Sequence, residues 1–261
     1  MFGGFFNRMY YGDPRKPDLK DDDLKKNRIK LFIVVLQIRF WKIIQLNLLY
    51  SLFWLPAFIL VYLQLMVTAE TGEPLSILFF ALLTLGMMLA APATTGVVFV
   101  LRNWARDEHS WLFSDFKDSW KRNWKEALLI MMINGIVLTL FYVNYVFYSD
   151  LARQNVMFLI INYLMIVVAI LYAMMNIYMF PLLVTYKLNL KQIFKNAFIF
   201  TIVKLPQTFG IFVIMLAIFA LSLYFMFPIF ILGLTFPVLL GVSLANWVFD
   251  SYMNQSLEDL E

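Results

Sequence analysis

Apolar stretches without a charged side chain recur along the chain, each long enough to cross a bilayer. They cover residues 43–67, 75–101, 127–149 and 156–186, and one longer run covers 205–249. A transmembrane helix needs ~20 mostly apolar residues. As a single helix the last run would measure ~68 Å, about twice the hydrocarbon thickness, so it must fold back on itself. Pro228 lies near its middle, which places the turn at 225–228 as a short link on the far surface. Pro206 suits the first turn of the fifth helix, where the missing N–H costs nothing. The expected fold is an all-α integral membrane protein with six transmembrane helices.

Lysine and arginine then orient the spans, because cytoplasmic loops carry their excess. Ten of the 21 lie before residue 43, six in 102–126 and four in 187–204. Only Arg153 falls in the opposite connections. Both termini are therefore expected in the cytoplasm. The opposite connections are short, and short links make antiparallel neighbours, so the spans are expected as three antiparallel hairpins. Each returning span carries a proline: Pro92, Pro181 and Pro237.

Composition agrees with this picture. Hydrophobic residues make up 62% and charged residues 15%, against ~45–50% and ~25% in soluble domains. There is no cysteine, which removes disulfides and thiolate chemistry. The N-terminus lacks the short basic-then-apolar pattern of a cleavable signal peptide. No Asp, Glu, Lys, Arg or His falls within the six cores, whereas proton relays and ion pathways are marked by such residues. The pattern G-x-x-x-x-G-K-[ST] is absent, so no P-loop binds ATP here.

Within the spans, amides stand in for charge. Asn144 and Asn162 flank the same connection at similar distances, and Asn134 and Asn176 lie deeper. They read either as a polar solute path or as interhelical hydrogen bonds. The small-residue run Ala90–Gly96 contains Pro92 and Thr94 and reads as a packed kink. Pro92 frees the carbonyl of Met88, which a neighbouring helix or water must satisfy.

The segment 102–127, RNWARDEHSWLFSDFKDSWKRNWKEA, holds the single histidine and four of the seven tryptophans. Phe113, Phe116, Trp120 and Trp124 are spaced 3, 4 and 4 and form one helical stripe. Asp118, Arg122 and Glu126 can pair along the polar side. An interfacial amphipathic helix is expected, separate from the spans. It would lie on the anionic cytoplasmic leaflet with Trp104 and Trp111, its polar face free to dock a partner. Asp107, Glu108 and His109 supply too few ligands for a metal site. Six basic against five acidic residues in 102–126 exclude a nucleic-acid surface. No cofactor and no set of catalytic residues is indicated.

Three regions follow. Residues 1–42 form a cytoplasmic N-terminal segment, with a short interfacial helix around Phe2, Phe5, Phe6, Met9 and Tyr10, then a polar linker and a helix start at Asp21–Asp23. Residues 43–249 form the transmembrane domain. Residues 250–261 form an acidic tail that is either solvated or rests on the basic loops.

NLLYSLFWLP (47–56) and LAAPATTGVVFVLRNWARDEHSWLFSDFKDSWKRNWKEAL (89–128) resemble the YesL-like, DUF624-type family of bacterial membrane proteins of unknown function. The matching residues are Asn47, Leu48, Leu49 and Tyr50; Leu55 and Pro56; Pro92, Ala93 and Thr94; Arg102 and Arg106; Phe113, Phe116, Lys121 and Trp124. Ala91 departs from the family's frequent glycine, and the polar N-terminus is longer. The family has no established catalytic residues to carry over. Its members are often encoded beside carbohydrate ABC importers, which implies a bacterial cell-membrane location and an accessory role beside carbohydrate ABC transporter subunits. A transporter or channel for a neutral small solute is the alternative, with Asn134, Asn176 and the Pro92 region lining its path.

Overall fold

The structure, a computed structural model, describes residues 28–153, 155–225 and 229–258. The expected N-terminal interfacial helix, the linker, the Asp21–Asp23 helix start and residues 259–261 lie outside the described residues, as do 226–228 at the expected turn. Among the described residues seven α-helices follow one another: α1 Arg28–Thr71, α2 Ile77–Ala105, α3 Leu112–Ala152, α4 Val156–Thr185, α5 Leu190–Val203, α6 Leu205–Phe225 and α7 Thr235–Glu258. A π-helical turn, Ile229–Gly233, precedes α7. Six helices are long and apolar enough to cross a membrane, and α5 is the exception. The chain is a multi-pass membrane protein whose outward faces suit contact with lipid.

Side-chain caps set several boundaries. Ser76 accepts the Phe79 N–H to start α2, and Asn155 accepts the Met157 N–H to start α4. Asn189 and Gln192 cap α5 reciprocally, satisfying donors that a helix start leaves free. Gly72 ends α1 with φ at 68°, a left-handed conformation that glycine adopts without strain. Pro206 occupies the first turn of α6, as its missing N–H suggested.

The middle of the bundle is held by α2 and α7. Every residue of α2 from Ala90 to Val98 is buried, so this small-residue stretch is enclosed on all sides. The tightest approach is between α2 and α3: a Cβ on Gly135 would strike Thr84, and one on Gly96 would strike Phe116. A Cβ on Gly86 would meet the backbone of Ala57 in α1. Small residues permit such approaches where the bilayer supplies no hydrophobic drive between helices.

Three expectations about boundaries need correction. First, α1 begins at Arg28, well before residue 43, and carries Arg39 and Lys42 in its own turns. Second, residues 112–126 are not a separate amphipathic helix; they are the first turns of α3, a single helix of 41 residues. No proline or glycine lies between Leu112 and Asn134 to stop propagation. Third, the connection before α7 is not confined to the far surface. Ile229, Leu234 and Thr235 hydrogen-bond to Asn47, which is about 24 residues before the end of α1 at Thr71. At ~1.5 Å per residue that is roughly 36 Å along the helix. The last helix therefore starts deep within the bundle.

Such a break is tolerated at depth only where its backbone groups are satisfied inside the protein. Asn47 satisfies three of them. Its Nδ2 donates to the Ile229 carbonyl at 2.8 Å. Its Oδ1 accepts the N–H groups of Leu234 at 3.0 Å and Thr235 at 2.9 Å, and the Thr235 hydroxyl at 3.1 Å.

Candidate functional site

Two places gather polar groups. The first is the basic end of the bundle, where α1, α2, the α2–α3 connection and α7 meet. Asp107, Glu108 and His109 make that connection. The N–H of Asp107 bonds the Trp104 carbonyl at 3.0 Å, and that of Glu108 bonds the Asn103 carbonyl at 2.8 Å. Asp107 takes a φ of 60°, which aspartate tolerates better than most residues. Asp115 then reaches back to the Trp111 N–H at 2.8 Å and the Ser110 hydroxyl at 2.7 Å, fixing the start of α3. These acids shape the turn.

Around it runs a network of ions and rings. Arg102 pairs with Glu108 at 3.5 Å and Arg106 with Asp250 at 3.3 Å. Asn246 donates to the Arg102 carbonyl at 3.3 Å. Arg39 lies over the Trp104 ring at 5.3 Å, and Lys204 over Trp247 at 5.1 Å. Arg102 and Arg122 both lie over Phe99. Asp250, assigned to the acidic tail, therefore rests on a basic loop residue, and α7 continues unbroken past it to Glu258.

The predicted aromatic stripe divides here. Trp104 is 0% exposed and is part of the core. Phe116 is buried as well. Trp120 packs edge-on against Phe53 at 4.7 Å. The expected membrane-surface role is thus withdrawn for Trp104 and Phe116, because the stripe's centre faces α1 and α2. Trp111 and Phe113 are each 69% exposed, and Trp124 is 44% exposed, with Lys125 over its ring.

The second place lies within the spans. Asn134 of α3 donates to Asn176 Oδ1 of α4 at 2.6 Å, and the Tyr172 hydroxyl donates to Asn134 Oδ1 at 2.7 Å. Asn176 Nδ2 donates to the Tyr172 carbonyl at 3.1 Å. These are the interhelical bonds expected of the deep amides. They also form part of the wall of a cleft of about 860 Å³ between α2, α3, α4 and α6, whose lining is overwhelmingly apolar. A second cavity of about 300 Å³ shares Ala173, Asn176, Phe212 and Leu216 with it and reaches Gly233 and Leu234 beside the start of α7.

The shallower amides separate. Asn144 donates to the Leu140 carbonyl of its own helix at 2.7 Å, while Asn162 donates across to Ser149 at 3.1 Å. The expected solute path does not include the Pro92 region. Pro92 and Thr94 are buried and line neither cavity. Thr94 donates to the Ala90 carbonyl, leaving its Oγ1 to accept the Tyr50 hydroxyl at 2.9 Å. Thr95 donates to the Pro92 carbonyl.

Sequence reasoning missed the roles of Asn47, Arg39 and Tyr172. Asn47 was visible as the lone asparagine of the first span. Tyr172 sits four residues before Asn176 and so shares its helix face. Nothing in the sequence ties Arg39 to Trp104. Among the described residues no three His, Cys, Asp or Glu side chains converge.

The family model described as a protein of unknown function, DUF624, matches residues 43–145 and bears out the resemblance seen there. No curated protein and no solved structure matches the chain.

Proposed function

We propose that this chain, with its DUF624 segment, is a non-catalytic accessory protein of a bacterial cell membrane that docks on another membrane assembly through its basic end. The observation that carries this proposal is the exposure of Trp111 and Phe113 beside a network of partly exposed ions over the buried Trp104 ring. Exposed large aromatic side chains grouped on a rigid support favour a partner surface or a lipid headgroup layer. Carbohydrate ABC importer subunits are the partner class that the family resemblance implies. Both termini lie in the cytoplasm on this proposal, since nearly all basic residues fall on one side.

The test is copurification with importer membrane subunits, comparing the native chain with the Trp111→Glu, Phe113→Glu double variant. Loss of the partner at unchanged protein level supports docking. Solute flux by the purified protein alone in liposomes defeats it. A reporter inserted after Gly72 that reads cytoplasmic overturns the orientation.

The cleft at Asn134 and Asn176 favours a second function, passage of a neutral solute, because its polar groups are uncharged. Asn134→Leu and Asn176→Leu together must then abolish any such flux.

A further inference from the structure

The large cleft has two polar regions and a long apolar body. At one end stand Asn134, Asn176 and Tyr172, bonded to one another. Towards the other stands Asn162, also on α4. The two asparagines of α4 are about 14 residues apart, roughly 21 Å along the helix at ~1.5 Å per residue. Met165, Ile166, Ala169 and Ile170 line the cleft between them, and Phe141 faces it from α3. No Asp, Glu, Lys, Arg or His lines it.

Asn162 is the telling residue. It is only 7% exposed, its Nδ2 is committed to Ser149, and its Oδ1 has no partner. A buried acceptor left empty in apolar surroundings is costly. Ser149 does not remove the deficit in this arrangement, since its hydroxyl oxygen is already the acceptor. Asn162 also lines the cleft, so a donor lodged there lies beside the residue that carries the empty acceptor.

We propose that this cleft binds a long-chain, uncharged amphiphile bearing a hydroxyl group, the hydroxyl donating to Asn162 and the hydrocarbon body lying along α4 towards Asn176. A charged head is disfavoured because nothing in the lining compensates it. A pure hydrocarbon fills the volume and leaves Asn162 unsatisfied. A short polar solute leaves most of the apolar lining empty. The volume lies within the ~300–1,000 Å³ of ordinary ligand sites. The site rests on the same cleft as the second function above, but it concerns occupancy and not passage. Binding without flux defeats that function and leaves this site standing; flux without binding does the reverse.

The experiment uses the full chain in phosphatidylcholine vesicles with hexadecanol carrying a mid-chain diazirine. After illumination the labelled peptides are mapped by mass spectrometry. Label is expected on cleft residues of α3, α4 and α6, at least fivefold above the outward-facing Leu164 and Val167. Unlabelled hexadecanol should suppress it at least fivefold, while palmitate and hexadecyltrimethylammonium at equal mole fraction should not. Dioleoylglycerol separates two sources of the same chemistry. Suppression by it assigns a membrane lipid, and suppression by the single-chain alcohol alone assigns a smaller amphiphile. Asn162→Leu should erase the preference for hexadecanol over hexadecane, and Ala169→Phe should fill the cleft and remove the label. Uniform labelling of the lipid-facing helices overturns the proposal. So does equal competition by the charged compounds, or an unchanged preference in Asn162→Leu. The competition series on the native chain decides even where a variant does not fold.

Discussion

Around Trp104 and around Asn134 the bundle is packed differently. At the basic end, α1, α2 and α7 close on a fully buried indole, and charged groups of both signs pair above it. Within the spans, α2, α3, α4 and α6 enclose a cleft whose polar anchors are neutral. The difference teaches where this bundle has spent its packing. Small residues bring α2 against α1 and α3 at Gly86, Gly96 and Gly135. Along α6, by contrast, Phe209, Phe212 and Leu216 line the cleft, and Gly210, on an exposed face, has nothing that a Cβ would meet. One part is built for rigidity, and the other keeps room.

If that contrast holds, substitutions at the closed part cost far more than those at the open part. Trp104→Ala should be the most damaging, at about 3–5 kcal/mol, the range for truncating a buried large aromatic. Thermal unfolding in detergent would measure it, and a loss below ~1 kcal/mol would remove Trp104 from the core. Asn47→Leu is of comparable size. It strands two N–H groups and a carbonyl at the start of α7, and each buried unsatisfied group costs ~1–3 kcal/mol. Its signature should be faster proteolysis near residues 229–235, with α1 and α2 protected.

Gly135→Leu should cost about 1–3 kcal/mol, as overpacking usually does, because the side chain has to displace Thr84. Gly210→Leu provides the matched control, and a loss as large as that of Gly135→Leu would break the comparison. Asn134→Leu is expected to cost only ~0.6–2 kcal/mol, the worth of an interhelical hydrogen bond in a bilayer. Smallest of all, Trp111→Ala should leave the free energy of unfolding within about 0.5 kcal/mol of native; a larger change would mean that Trp111 packs against the bundle.

Much of the architecture was legible in the chain. Spans of uncharged residues read as helices because an unpaired peptide group in hydrocarbon is so costly that a long apolar run has few other options. The deep amides Asn134 and Asn176 were legible for a similar reason, since a lone polar side chain in a span needs a partner. The stripe of residues 113–124 was harder. Its spacing reports that one face is apolar and is silent on whether lipid or protein covers it. Phe116 and Phe113 have the same chemistry and lie three residues apart. One is buried against Gly96, and the other faces outwards.

The sequence by itself determined the number of apolar spans, the alternation of basic with nearly uncharged connections between them, and the absence of Asp, Glu, Lys, Arg and His from the apolar runs. Each follows from the free energy of moving a single residue between water and hydrocarbon, a property that residue carries wherever it stands in the chain. Only the tertiary structure decided that Asn47 holds the start of the last helix, that Trp104 lies beneath Arg39, and that Asn162 keeps an empty acceptor beside a long cleft. Those depend on which helix faces which, and that choice is made by close contacts between residues far apart in the chain, whose spacing along it records nothing of their meeting.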